Sequence, residues 1–162
     1  MTDTGQVSAD PPTAPAAGSG PQAGTYAPSS VDWVRAEAEH LERTGRGLRD
    51  RPVVLLTTRG ARTGLLRKTP LMRVEHAGTW AAVASMAGAD RAPHWYANLL
   101  AHPDALLRDG DAVHDVAARE VTGAERAAWW SRACTAFPSY VGYQSRTRRR
   151  IPVVLLEPRE AP

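Results

Sequence analysis

The chain has 162 residues, with 20 lysines and arginines against 17 aspartates and glutamates, for a net charge of +3 at pH 7. That length suits one domain, and so small a net charge argues against a general nucleic-acid coat. A single cysteine, Cys134, excludes an internal disulfide and a cysteine metal cluster, and no stretch is long and apolar enough to read as a membrane span.

Residues 1–27 are rich in Pro, Gly, Ala, Ser and Thr and have almost no apolar periodicity. Such a segment cannot bury enough surface to offset its ordering entropy, so a flexible tail is expected there, with the folded domain over residues 28–162. The tail lacks the basic start and apolar stretch of a signal peptide, and a cytoplasmic protein is the default expectation. Next comes "SSVDWVRAEAEHLERTGRG". Ser29 and Asp32 resemble a capping box. Val34, Ala38 and Leu41 share a helical face, and Gly45 and Gly47 are stop signals. A buried strand is expected over residues 53–58 and a second over "RKTPLMRVEH", where Pro70 calls for an edge or bulge. Ala77-Gly78 turns the chain into a third strand, residues 79–86, which completes an antiparallel meander.

Pro93 suits a first helical turn, so a short helix is expected over residues 93–101. Asp109-Gly110 marks a hairpin. Thr122 and Glu125 form another capping-box pattern ahead of a helix through Trp129, Trp130, Ala133 and Phe137, stopped by Pro138. "SYVGYQSRTRRR" reads as a polar connection and "IPVVLLEP" as a last strand. Strands and helices do not alternate, which argues against a parallel sheet. The expected fold is α+β: a mostly antiparallel sheet closed or half-closed into a small barrel, with helices outside.

Common catalytic signatures are missing: no dinucleotide or nucleotide-phosphate glycine loop, no serine elbow, and no metal-ligand spacing among the five histidines. Cys134 reads as a buried, inert thiol. What stands out is "TTRGARTGLLRKTP", residues 57–70, with Arg59, Arg62, Arg67 and Lys68 and no acid. Gly60 and Gly64 let the backbone bend and approach a ligand. Consecutive N–H groups in such a bend can form an anion nest, and the cations add charge-assisted hydrogen bonds. A solvated hairpin loop is the competing interpretation. Trp95, Tyr96, Trp129 and Trp130 suit a core. Tyr140 and Tyr143, in a polar connection, could reach a pocket or merely cover the barrel. The run Arg146 to Arg150 is too short, and too poor in aromatics, to argue for nucleic-acid binding.

Three blocks, "LLTTRGARTGLLRKTPLMRVEH", "AVASMAGADRAPHWYANLLAHPD" and "AFPSYVGYQSRTRRRIPVVLLEP", resemble the deazaflavin-dependent nitroreductase family over residues 31–158. The resemblance implies a split β-barrel of the FMN-binding type that binds coenzyme F-420, an anionic deazaflavin with a phosphate and a glutamate tail. It places Gly60, Arg62, Thr63, Arg67, Lys68 and Thr69 on the phosphate and tail. Ala84, Ser85 and Met86 fall beside the ring, with His94, Trp95, Tyr96 and Asn98 completing the site. Tyr140 and Tyr143 fall on the substrate side. Ala61, Met86-Ala87 and Phe137 depart from common family patterns, the last bearing on nitroimidazole activity. The implied function is an oxidoreductase that moves hydride from the reduced coenzyme to an enone, quinone or nitro compound, with Ser85 or Tyr140 donating a hydrogen bond to the developing oxyanion. Two alternatives stay open: an FMN-dependent reductase of the same fold, and a non-catalytic deazaflavin carrier or sensor. The expected partners are the anionic coenzyme and a small electron-poor substrate, with no nucleic acid and no metal. Monomer or homodimer, and peripheral contact with a membrane, also stay open.

Overall fold

A computed structural model describes residues 24–159. Of the expected tail, residues 1–23 lie outside the described residues. Thr25 to Ala27 do not extend it: the Leu66 N–H donates to the Thr25 carbonyl and the Ala27 N–H to the Leu66 carbonyl, each at 2.9 Å. The Tyr26 ring lies under the Lys68 ammonium, 4.4 Å from the centroid, so the paired chain begins a few residues earlier than composition indicates.

The elements are α1 (Asp32–Thr44), β1 (Val53–Arg59), β2 (Leu66–Met72), β3 (Glu75–His76), β4 (Thr79–Val83), α2 (His94–Ala101), β5 (Asp104–Asp109), β6 (Ala112–Glu120), α3 (Gly123–Ala136), α4 (Ser139–Ser145) and β7 (Val153–Pro158). The sheet order is β2-β1-β5-β6-β7-β4-β3, and every ladder is antiparallel. Only Arg73 and Val74 separate β2 from β3 in sequence. The Arg73 N–H donates to the Pro52 carbonyl ahead of β1, and the Ala81 N–H of β4 donates to the Val74 carbonyl, both at 2.8 Å. The two ends of the sheet are therefore one bent segment, and the sheet curls into a half-barrel. The expected meander is realised with its middle strand broken in two, and the α+β split-barrel class holds. Pro70 lies on β2, an end strand, where its missing N–H costs no ladder bond.

The continuous apolar runs follow from burial on both faces. Val54 and Leu56 of β1, Trp80 and Ala82 of β4, and Val154 and Leu156 of β7 point into the barrel with Leu107. Their neighbours Ala81, Val83, Val153 and Leu155 pack against α3 and α4, while Val53 and Leu55 pack against Ala38 and Leu41 of α1. Each fully buried leucine contributes about 1.5–3 kcal/mol. Trp95 and Leu99 carry α2 into the same barrel core. No described helix is long and apolar enough to cross a membrane.

Several local expectations are corrected. Neither capping box forms a side-chain cap. Ser29 Oγ accepts from the Val31 N–H at 3.1 Å, Asp32 pairs with Arg35 at 2.6 Å, and Glu125 is taken by Arg119 at 2.8 Å. The third strand ends at Val83, and Met86–Gly88 form a tight 3-10 turn. The first half of the polar connection is helical: α4 packs on that turn.

Candidate active site

The charged loop between β1 and β2 is held closed by its backbone. The Gly60 N–H donates to the Leu65 carbonyl at 2.7 Å and the Gly64 N–H to the Gly60 carbonyl at 2.9 Å. The Arg59 guanidinium spans the loop to the Gly64 carbonyl at 3.1 Å. A β-carbon on Gly60 would stand 2.6 Å from Thr63 Oγ1 and 3.2 Å from the Leu65 carbonyl oxygen, so glycine suits this tight closure. Asn98, 7% exposed on α2, ties this loop to the barrel. Its Oδ1 accepts from the Ala61 N–H at 2.9 Å, and its Nδ2 donates to Thr58 Oγ1 at 3.1 Å. Loss of two buried hydrogen bonds costs about 1–3 kcal/mol. Asn98→Ala is therefore expected to lower stability by that much and to speed amide exchange at Ala61. Parent-like exchange at Ala61 would mean that the loop holds itself.

Beside the loop lies a cavity of about 400 Å³, lined by Gly60, Arg62, Thr63, Arg67, His94 and Asn98 among others. Arg62 and Arg67 are exposed at its edge, and Arg67 also donates to the Ala27 carbonyl at 3.2 Å. The structure does not bring Lys68 here. Strand alternation turns it to the other face, where it pairs with Glu42 and lines a separate cavity with Tyr26 and Arg108. Tyr96 is also directed elsewhere: its hydroxyl donates to Glu120. Burial and that carboxylate push its phenol up to about 12. Ala84 is fully buried in the barrel core.

A second cavity, of about 420 Å³, opens on the other side of the start of α2. Thr69 and Leu71 of β2 and Val83 of β4 line it, as do Ser85 and Met86 from the turn after β4. Trp95 of α2 and Tyr140 and Tyr143 of α4 line it too, so all of these except Leu71 and Val83 are residues expected at the site. Ser85 is 8% and Tyr140 5% exposed. Burial raises the Tyr140 phenol above the ordinary tyrosine value, with Tyr143 adding to the effect, so it remains a protonated donor throughout the neutral range. Trp33, Val34 and Glu37 of α1, with Phe137, form walls that sequence reasoning missed. In sequence, α1 looked only like an amphipathic core helix. Trp33 beside Val34 was the available signal, since an exposed tryptophan next to the buried stripe widens the apolar face.

The two cavities share their supports. Arg67 lines the first, and Thr69, two residues further along the same face of β2, lines the second. Two strand residues span roughly 6–7 Å. His94 faces the first cavity and Trp95 the second. The arrangement offers a cationic, glycine-lined end and a largely apolar end that also carries the hydroxyl residues Thr69, Ser85, Tyr140 and Tyr143. Such a pair could hold anionic oxygens at the loop and an apolar ring at the second cavity. Among the described residues no cluster could hold a metal ion.

Comparison with known proteins points to a coenzyme. A solved structure of an F420-H2 dependent reductase, FDR-A, is 49% identical with a TM-score of 0.63, covering 66% of this chain and 95% of that one. Another, described as a domain-swapped dimer, is 47% identical with a TM-score of 0.66, covering 80% and 100%. An F420H(2)-dependent quinone reductase of Mycobacterium tuberculosis (strain ATCC 25618 / H37Rv) is 38% identical over 108 residues, 65% of this chain and 72% of its own length. The family model for F420H(2)-dependent quinone reductases matches residues 31–158, the span that contains both cavities and every element from α1 to β7, and the chain belongs to that family.

Proposed function

We propose that the protein reduces a quinone in the cavity between α1, α4 and β2, with coenzyme F-420 held across the glycine loop and the start of α2. The observation that carries this assignment is that the two cavities are lined by neighbouring residues of the same elements, Arg67 and Thr69 of β2 and His94 and Trp95 of α2.

The residues present fit the coenzyme. Gly60 lines the cavity without a side chain, which leaves its backbone open to a phosphate or carboxylate. Arg62, Arg67 and Thr63 supply donors for anionic oxygens. Asn98 acts as a support for the loop rather than as a ligand contact. Lys68 is left out of the set because Glu42 holds it. When bound, the reduced coenzyme supplies hydride, an electron pair with one proton.

This chain's residues do the rest. Trp33, Val34, Leu71 and Phe137 wall the acceptor space with apolar surface, which excludes water and strengthens electrostatic interactions inside. As a quinone carbon takes up hydride, negative charge grows on the conjugated carbonyl oxygen. Ser85 and Tyr140 line that space, and we assign their hydroxyls as the hydrogen-bond donors to that oxygen. Water protonates that oxygen, and loss of a proton from the newly saturated carbon with protonation of the second carbonyl oxygen then gives the aromatic hydroquinone. Tyr143, three residues from Tyr140 and so on the same face of α4, extends that wall of the cavity.

Side-by-side titration with F-420 and FMN tests the cofactor assignment. F-420 should bind, and its affinity should fall as salt rises, because exposed charge pairs are screened. Arg62→Ala should weaken binding by about ten- to a hundredfold, the effect of one charge-assisted contact. FMN binding with no F-420 binding would contradict the proposal.

A further inference from the structure

The turn that follows β4 is strained and clamped. Met86 has φ of 44° and Ala87 of 53°, a left-handed conformation that β-carbons disfavour and that persists only where the surroundings over-determine it. Arg149 supplies contacts on both sides of this turn. Its Nε donates to the Ala89 carbonyl at 2.8 Å, and its Nη2 donates to the carbonyls of Ala84 at 3.1 Å and Ser85 at 2.9 Å. A planar guanidinium makes three such bonds in one plane, a geometry that a lysine ammonium does not reproduce. The segment carrying Arg149 is tied in turn to α4: Gln144 Nε2 donates to the Arg149 carbonyl at 2.8 Å, and the Ile151 N–H donates to Gln144 Oε1 at 3.1 Å. A continuous chain of contacts thus runs from α4, which carries Tyr140 and Tyr143, through Gln144 and Arg149 to the backbone of Ser85.

We propose that Arg149 is a positioning residue for the quinone reduction: it fixes Ser85 relative to Tyr140, so that both donors meet the same acceptor oxygen. The inference rests on the placement of the acceptor proposed above. Arg149 lies outside the acceptor cavity and borders a different one with Asp90, Arg146 and Thr147, so it acts through Ser85 and touches no reactant.

The test compares Arg149→Lys with the parent by F-420 titration, thermal melting and steady-state kinetics with a water-soluble naphthoquinone. Misplacement by about 1 Å can cost roughly a hundredfold in rate. The lysine variant should therefore lose about ten- to a hundredfold in kcat while its F-420 affinity stays within about threefold of the parent. Ala87→Gly, placed in the Arg149→Lys background, should recover part of the lost kcat, since glycine takes the left-handed turn without a clamp. Parent-like kcat in Arg149→Lys would overturn the proposal. So would a loss of kcat matched by equal losses of F-420 affinity and melting temperature, or one that Ala87→Gly does not relieve, since either marks a purely structural role. Tyr140→Phe, measured in parallel, separates the two claims. If it lowers kcat and Arg149→Lys does not, the acceptor site stands and only the role of Arg149 falls. If Tyr140→Phe has no effect, Tyr140 is not a donor, and the alignment of two donors by Arg149 falls with it.

Discussion

Tyr140→Phe is expected to lower quinone turnover by about ten- to a thousandfold with little change in coenzyme affinity. The ring is fixed by its neighbours: Phe137 edge-on at 5.1 Å, Tyr143 at 6.2 Å and Trp130 at 6.2 Å between centroids. Phenylalanine keeps those contacts and removes only the hydroxyl. Burial raises the phenol of Tyr140, so the proton it offers is retained to higher pH than on an ordinary tyrosine. Ionisation of this group should accordingly cause no alkaline loss of turnover near the usual tyrosine value of about 10. Steady-state rates across pH, with a quinone as acceptor, check both statements. Unaltered turnover in Tyr140→Phe would make this tyrosine a packing residue and leave Ser85 or water as the donor.

Gly88→Ala should be the most damaging single methyl in the region. Gly88 has φ of +83°, and a β-carbon there would stand 2.7 Å from the Tyr143 carbonyl oxygen and 3.1 Å from the Tyr143 Cα. Those are backbone atoms of a helix and cannot swing aside. Left-handed strain of about 1–2 kcal/mol adds to overpacking of about 1–3 kcal/mol. The expected loss is about 2–5 kcal/mol, a large share of the stability of a typical domain. Chemical denaturation measures it directly, and a parent-like midpoint would show that the turn and α4 are not locked together.

Much of this architecture can be read in the sequence, for physical reasons that differ from element to element. β1 and β7 announce themselves because both faces are buried, so no polar residue interrupts the run. The glycine loop is legible through its charge density. The limits appear where tertiary partners decide. Lys68 looks like a fourth loop cation because its partner Glu42 is 26 residues away and because strand alternation, not sequence proximity, sets its direction. Thr122 and Glu125 have capping-box spacing, yet Arg119 claims Glu125 with two hydrogen bonds. α4 has no apolar period: Tyr140 is its only buried residue, Gly142 weakens its intrinsic propensity, and contact with the turn at Gly88 supplies what propensity lacks. The arginine run after α4 looks solvated, but Arg149 spends its donors on three backbone carbonyls. The α1 wall of the second cavity comes from a helix that sequence places with the core alone, since only folding brings Trp33 to the cavity that Tyr143 lines.

The division of labour between the two cavities is tested most directly by steady-state kinetics of Arg62→Ala and Tyr140→Phe with a naphthoquinone acceptor. Arg62→Ala should raise the F-420 concentration needed for half-maximal rate by about tenfold or more while kcat at saturation stays near the parent value. Tyr140→Phe should lower kcat and leave that concentration unchanged. A shift of the same parameter in both variants, or of neither parameter in either, would contradict the assignment of an anion-holding cavity at the loop and a hydride-accepting cavity at Ser85 and Tyr140.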